Sequence, residues 1–234
     1  MHDERDDQGQ ADHGRGPGEA IRSYVTRRVE RLQSGYLEDR PWSSEVRGQL
    51  AELRRSIGAA GSADPRSWAI VLDQLPEQLQ GSSRTTLATP TRGELAVLTA
   101  LTTYAVHQQS QRKPMHRRGI RLGEAVRAVA RSRARADSAG GLDEPTVDRM
   151  HRVSLAQTQE LRAQSLRALV QLLRSSEVPL DYGRLAEDLF WLQDPRNATK
   201  VHLAWGRGLH RLSAAERQDT QQDHDTTPST GEPA

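Results

Sequence analysis

Residues 91–135 read TRGELAVLTALTTYAVHQQSQRKPMHRRGIRLGEAVRAVARSRAR, and their spacing decides the fold class. Thr91 with Glu94 three residues later is a capping-box pattern, in which each side chain satisfies the other's backbone N–H. Leu95, Leu98, Leu101, Thr102 and Ala105 follow at helical spacing, so a helix is expected to carry His107, Gln108 and Gln109 at its C-terminal end. Lys113-Pro114 breaks the pattern, and Gly119 precedes a second helix, about Ile120 to Ala136. Leu122, Ala125, Val126 and Val129 give that helix a narrow apolar stripe. Arg127, Arg131 and Arg135 repeat every fourth residue and should share its other face. From Arg112 to Arg135 there are nine Lys and Arg against one acid, Glu124. Like charges at that spacing repel, so either solvent or a polyanion must lie against them.

The same 3.6-residue period extends in both directions. Upstream, Ile21, Val25, Val29 and Leu32 mark a helix over Glu19 to Ser34 that Gly35 can end. Pro41-Trp42-Ser43-Ser44 caps a second, with Val46, Leu50, Leu53 and Ile57 inward and Arg54 and Arg55 at its C-terminal end, where the macrodipole favours cations. Gly58 to Asp64 reads as a loop, Trp68 to Leu75 as a short helix stopped by Pro76, and Gly81 to Pro90 as another loop. Downstream, Ser138 to Asp143 is a linker, and Pro145 suits a first helical turn behind Asp143 or Glu144. Val147, Met150 and Val153 form a short stripe. A long helix from about Leu161 ends near Ser175. Asp181 is the N-cap for Leu185, Ala186, Leu189 and Leu192, and Asp194-Pro195 opens a last helix bearing Val201, Ala204, Trp205, Leu209 and Leu212. The expectation is an all-α bundle of about nine helices in two halves, 19–137 and 138–212, between disordered acidic tails at 1–18 and 213–234.

Charge distribution narrows the partner. Met1 to Glu19 holds six acids and two arginines, and Ser213 to Ala234 five acids and one arginine, so a formal net charge of +2 conceals a basic body. A broad positive field suits a long polyanion better than a small acidic molecule. The chain has no cysteine, which excludes thiolate chemistry, disulfides and Cys-bound zinc. The acidic N-terminus shows no apolar signal region, and no apolar run reaches the ~20 residues of a membrane span, so a cytoplasmic protein is expected. No histidine pair has metal-ligand spacing, and no phosphate loop, dinucleotide fingerprint or nucleophile elbow is present. Neither an enzyme nor a cofactor is expected. Trp191 and Trp205 lie at core spacing, and with aromatics at 4% a stacking platform is not anticipated.

The motifs also form a familiar series. Tyr104-Ala-Val-His107-Gln108-Gln109, His116 with Gly119, and Leu122-Gly123-Glu-Ala125 resemble the central motif of the CasB family, the small subunit of the type I-E CRISPR Cascade complex. Leu166 to Arg174, Leu180-Asp181-Tyr182, Leu185 to Leu189 and the closing Trp205-Gly206-Arg207 continue the resemblance, over about Tyr36 to Leu212. Glu144-Pro145-Thr146-Val147 departs from it, standing where the family usually has an acid, two arginines and an aromatic. That contact is then missing, or has moved to Arg149 and Arg152.

The resemblance implies a non-catalytic, all-helical subunit present in two copies beside the backbone and large subunits and the guide crRNA. It implies binding of the target and displaced DNA strands of the R-loop. The positions it points to are Arg54, Arg55, His107, Gln108, Arg117, Arg118, Arg121 and Arg127, and charge adds Arg131, Arg152, Arg167 and Arg174. The residues alone leave open a helix-turn-helix-like DNA-binding regulator using the Leu122 to Ala136 helix.

Overall fold

In the computed structural model, which describes residues 16–56, 64–81, 89–136 and 141–211, nine α-helices follow one another. They are α1 (Pro17–Leu37), α2 (Ser43–Arg55), α3 (Pro65–Leu72), α4 (Arg92–Gln108), α5 (Leu122–Arg133), α6 (Glu144–Leu155), α7 (Gln159–Ser175), α8 (Tyr182–Trp191) and α9 (Pro195–His210). A 3₁₀ turn spans Glu77–Leu79. The described residues contain no β-strand, only a bridge between His116 and Leu180. The chain is all-α, as its periodicity dictates.

The caps form where side-chain chemistry requires them. Thr91 Oγ1 accepts from Glu94 N at 3.1 Å and Glu94 returns the bond to Thr91 N at 2.7 Å, closing the capping box. Asp143, Asp181 and Asp194 each accept a backbone N–H in the first turn of α6, α8 and α9, which satisfies donors the helix itself cannot. α1 departs from expectation at both ends. It begins at Pro17, where the missing N–H costs nothing, and runs to Leu37. Gly35 does not end it but lies buried inside it, where a Cβ would stand 2.7 Å from Val46 Cγ2 of α2. The basic helix is likewise shorter than Ile120 to Ala136, because Arg121 is its N-cap and Ala134 its C-cap.

α4 is the axis of the bundle. Leu98, Leu101, Tyr104 and Ala105 are buried with Thr99, Thr102 and Thr103; a helix apolar nearly all round belongs inside. It packs against α1, α2, α3, α7 and α8, while α8 also lies along α1, and α5 crosses α9. Both sequence halves therefore contribute to one apolar core, from Ile21 and Leu50 to Leu166, Leu185 and Trp205. No described helix is long and apolar enough to cross a membrane. Residues 1–15 and 212–234, with Ile57 and most of the two expected loops and the linker, lie outside the described residues.

Candidate nucleic-acid interface

The motif residues between α4 and α5 turn inward and hold the basic loop in shape. Gln108 Nε2 donates to the Gln111 and Lys113 carbonyls at 3.2 and 3.0 Å. Its Oε1 accepts from Met115 N at 3.0 Å. Gln33 of α1 clamps His116 from outside, accepting from its N–H at 2.8 Å and donating to its carbonyl at 3.3 Å. The 179–182 segment runs alongside: Leu180 N donates to Met115 O, Arg117 N to Leu180 O, and Asp181 N to Ile120 O, at 3.0, 3.2 and 2.8 Å. Gly119 adopts φ +88°, a conformation few other residues accept, and so aims its N–H at Asp181 Oδ2, 2.8 Å away.

Three rings lock this arrangement from beneath. Tyr182 packs edge-on to Tyr104 with centroids 5.2 Å apart, and its hydroxyl shares a 2.9 Å hydrogen bond with His107 Nδ1. His116 Nδ1 lies 3.1 Å from Tyr182 N and 3.3 Å from the Leu180 carbonyl oxygen. Burial raises the phenol pKa of Tyr104 and Tyr182 well above 10. It pushes His107 down to about 3 and lowers His116 as well, against the neighbouring Asp181 and Glu30 carboxylates. Desolvation disfavours each charged form. His107 and Gln108 are each 0% exposed. As direct contacts to a polyanion they are corrected by the structure: they are internal and uncharged, and they shape the loop instead.

The arginines of the loop point outward. Arg117 is exposed and fixed only through its backbone. Arg118 is exposed and bidentate to Glu30, at 2.6 and 2.8 Å. Arg121 is exposed at the N-terminus of α5. Two clefts of ≈370 Å³ each open beside them. One, between α1, the loop and the start of α8, is lined by Arg22, Arg27, Arg118 and Arg184 among others. The second, between α8 and α9, is lined by Arg121, Arg184 and Lys200, with Asp188, Trp191 and Asn197. Arg184 borders both, so one surface carries six cations from α1, the loop, α8 and α9.

The remaining candidates are distributed differently. Arg127 is buried, its Nη1 donating to Leu209 O at 2.9 Å, so it ties α5 to α9 and leaves the expected charged stripe. Arg174 is half-buried and binds Val106 O and Gln109 Oε1 at 3.4 and 3.3 Å, closing the C-terminus of α4. Arg54 is half-buried, with a pKa lowered by burial, and Arg55 pairs with Glu52. Arg131, Arg152 and Arg167 are exposed on α5, α6 and α7. Of the twelve positions, the structure brings Arg117, Arg118 and Arg121 into one loop. It adds Arg22, Arg27, Arg184 and Lys200, which sequence reasoning missed. Arg184 carried a readable signal: a cation in a first helical turn opposes the macrodipole and needs compensation, here Glu187 at 3.2 Å. Among the described residues, no group of three or more His, Asp or Glu could hold a metal ion.

The model of the family described as CRISPR-associated protein Cse2 matches residues 49–210. The crystal structure of CasB from Thermobifida fusca is similar at TM-score 0.65 and 36% identity, covering 82% of this chain and 98% of that one. No curated protein matches.

Proposed function

From the premise that this chain belongs to the CRISPR-associated Cse2 (CasB) family, we propose that it is the small, non-catalytic subunit of a type I-E Cascade complex and holds R-loop DNA by its phosphates. The observation that carries this reading is the stapled loop, whose Arg118 and Arg121 stand beside Arg22, Arg27, Arg184 and Lys200 on one surface, with Arg117 exposed on the same loop. Its backbone is bound at both edges, to Gln33 and to residues 180–182, so little ordering remains to be done when a strand arrives.

The mechanism follows from near-balance. Exchanging a DNA duplex for an RNA–DNA hybrid of similar stability yields little net driving force, so protein contacts to the strands tip the exchange. The guide reads sequence, and this subunit supplies backbone charge. Its partners in this reading are the backbone and large subunits, the crRNA, a second copy of itself, and the target and displaced strands. The regulator alternative is disfavoured by α5 itself. A recognition helix needs a free N-terminal turn for the major groove, yet a Cβ on Gly123 would stand 2.2 Å from the Trp205 carbonyl oxygen of α9.

Arg117→Ala, Arg118→Ala and Arg121→Ala combined should leave the melting transition near that of the wild type and weaken R-loop DNA binding by the assembled complex. Each lost phosphate contact removes ~0.7 from the salt slope on a single strand, so the triple variant should lose about two units. An unchanged affinity and slope would remove the basis of the proposal.

A further inference from the structure

The cleft between α8 and α9 is not built for phosphate alone. Trp191, Val201 and Ala204 give it an apolar wall, Asp188 and Asn197 place polar groups beside that wall, and Glu187 on its rim is paired with Arg184 at 3.2 Å. Trp191 is half-buried and fixed: Phe190 meets it edge-on at 4.9 Å, and a Cβ on Gly18 would stand 2.7 Å from its Nε1. Asp188 Oδ2 accepts from Trp205 Nε1 at 2.7 Å, and the same carboxylate lines the cleft. A volume of ≈370 Å³ lies near the lower end of the ~300–1,000 Å³ range of small-ligand pockets. It suits one flat heterocycle with its sugar, not a helix or a strand.

We propose that this cleft seats one unstacked nucleobase of a bound single strand against Trp191, while Arg121, Arg184 and Lys200 hold the flanking phosphates. The inference rests on the backbone reading above and adds a base subsite to it. Stacking on an aromatic is sequence-tolerant, because every base has a flat face, so the subsite is compatible with a guide that does the reading. Asp188 introduces a bias. A carboxylate accepts from the exocyclic amines of cytosine, adenine and guanine, whereas thymine offers only its N3–H, flanked by two carbonyl oxygens that repel a carboxylate. Oligo-dC is therefore held more tightly than oligo-dT.

The test compares strands with and without bases. Full-length protein is titrated into fluorescently labelled oligo-dC, oligo-dT and a uniformly abasic tetrahydrofuran strand of equal length, at neutral pH and fixed salt. Stacking of one base is worth ~1–3 kcal/mol, so oligo-dC should bind about 5- to 150-fold more tightly than the abasic strand. Ala204→Phe, which fills the cleft from its half-buried side, should bring oligo-dC to the abasic level and leave abasic binding unchanged. Trp191→Leu should act in the same direction from the opposite wall, and Asp188→Asn should abolish the preference for dC over dT. Equal binding of oligo-dC and the abasic strand by the wild type overturns the inference, whatever the variants do, and leaves the backbone reading standing. So does an Ala204→Phe variant that keeps its full preference for oligo-dC. Loss of both strands to the same degree in that variant marks a backbone contact only and overturns it too. Failure of the wild type to bind any strand sinks the backbone reading itself.

Discussion

His107 and Asp188 titrate in opposite senses, and their opposition sets how the protein responds to acid. His107 is buried neutral, with a pKa near 3 in the fold and about 6.5 in the unfolded chain. The unfolded state takes the proton first, so stability present above pH 6.5 is lost as pH falls, by about 2 kcal/mol between pH 7 and 5. Asp188 is raised to about 6, chiefly by burial. Here the folded state holds the proton more tightly, so its contribution grows as pH falls below 6 and reaches about 1 kcal/mol at pH 5. Asp188 thus offsets about half of the loss from His107. Asp188→Asn keeps an acceptor for Trp205 and removes the compensating term. Urea unfolding should therefore show Asp188→Asn losing about 1 kcal/mol more than the wild type between pH 7 and 5. Equal losses would show that Asp188 is not held protonated in the fold. Neither burial was legible from the chain: His107 at a helix end was expected to meet a polyanion, and nothing within α8 shows that Trp205 of α9 will lie against Asp188.

At the scale of the element, caps and apolar spacing were the legible part. The Thr91–Glu94 box and the Asp181 and Asp194 caps are local chemistry, complete within four residues of sequence, and all three form. Periodicity told which residues share a face but not which neighbour that face meets. Arg127 shows the limit, since it keeps its i,i+4 relation to Arg131 yet points to Leu209 because α9 crosses α5 there. That crossing is close: Gly123 lies against the Trp205 carbonyl, and a Cβ on Gly208 would stand 3.0 Å from Glu124 N. The small size of Gly123 serves the crossing. Gly123→Ala forces a methyl onto backbone that cannot yield as a side chain can. It should destabilise the fold by about 1–3 kcal/mol or more, with Gly208→Ala milder, as denaturant midpoints will report. A Gly123→Ala protein as stable as the wild type would mean the helices separate freely.

At the scale of the whole molecule, the basic surface is already partly occupied by the protein's own carboxylates. Glu30 of α1 holds Arg118 with two hydrogen bonds. Glu187 stands 3.4 Å from Arg22 and 3.2 Å from Arg184. The chain sequence showed the cations but not these pairings, which join residues as far apart as 22 and 187. The same distance explains why Arg22 and Arg27 escaped notice: their neighbours in the interface come from the other end of the chain. Each pair orients its arginines, and each carboxylate also repels an approaching strand. Exposed pairs of this kind are worth ~0.2–1 kcal/mol, so orientation lost is small against repulsion removed. Glu30→Gln with Glu187→Gln keeps hydrogen-bonding capacity and deletes two negative charges from the phosphate path. Single-stranded DNA should then bind a few-fold more tightly, with a steeper salt dependence, because more cations exchange their counterions for phosphates. The gain should fade at high salt, where screening shortens the reach of both carboxylates to a few ångströms. Weaker binding at low salt would instead mean that the glutamates' positioning of Arg22, Arg118 and Arg184 outweighs their charge, and that the unclamped side chains lose more by wandering than the strand gains.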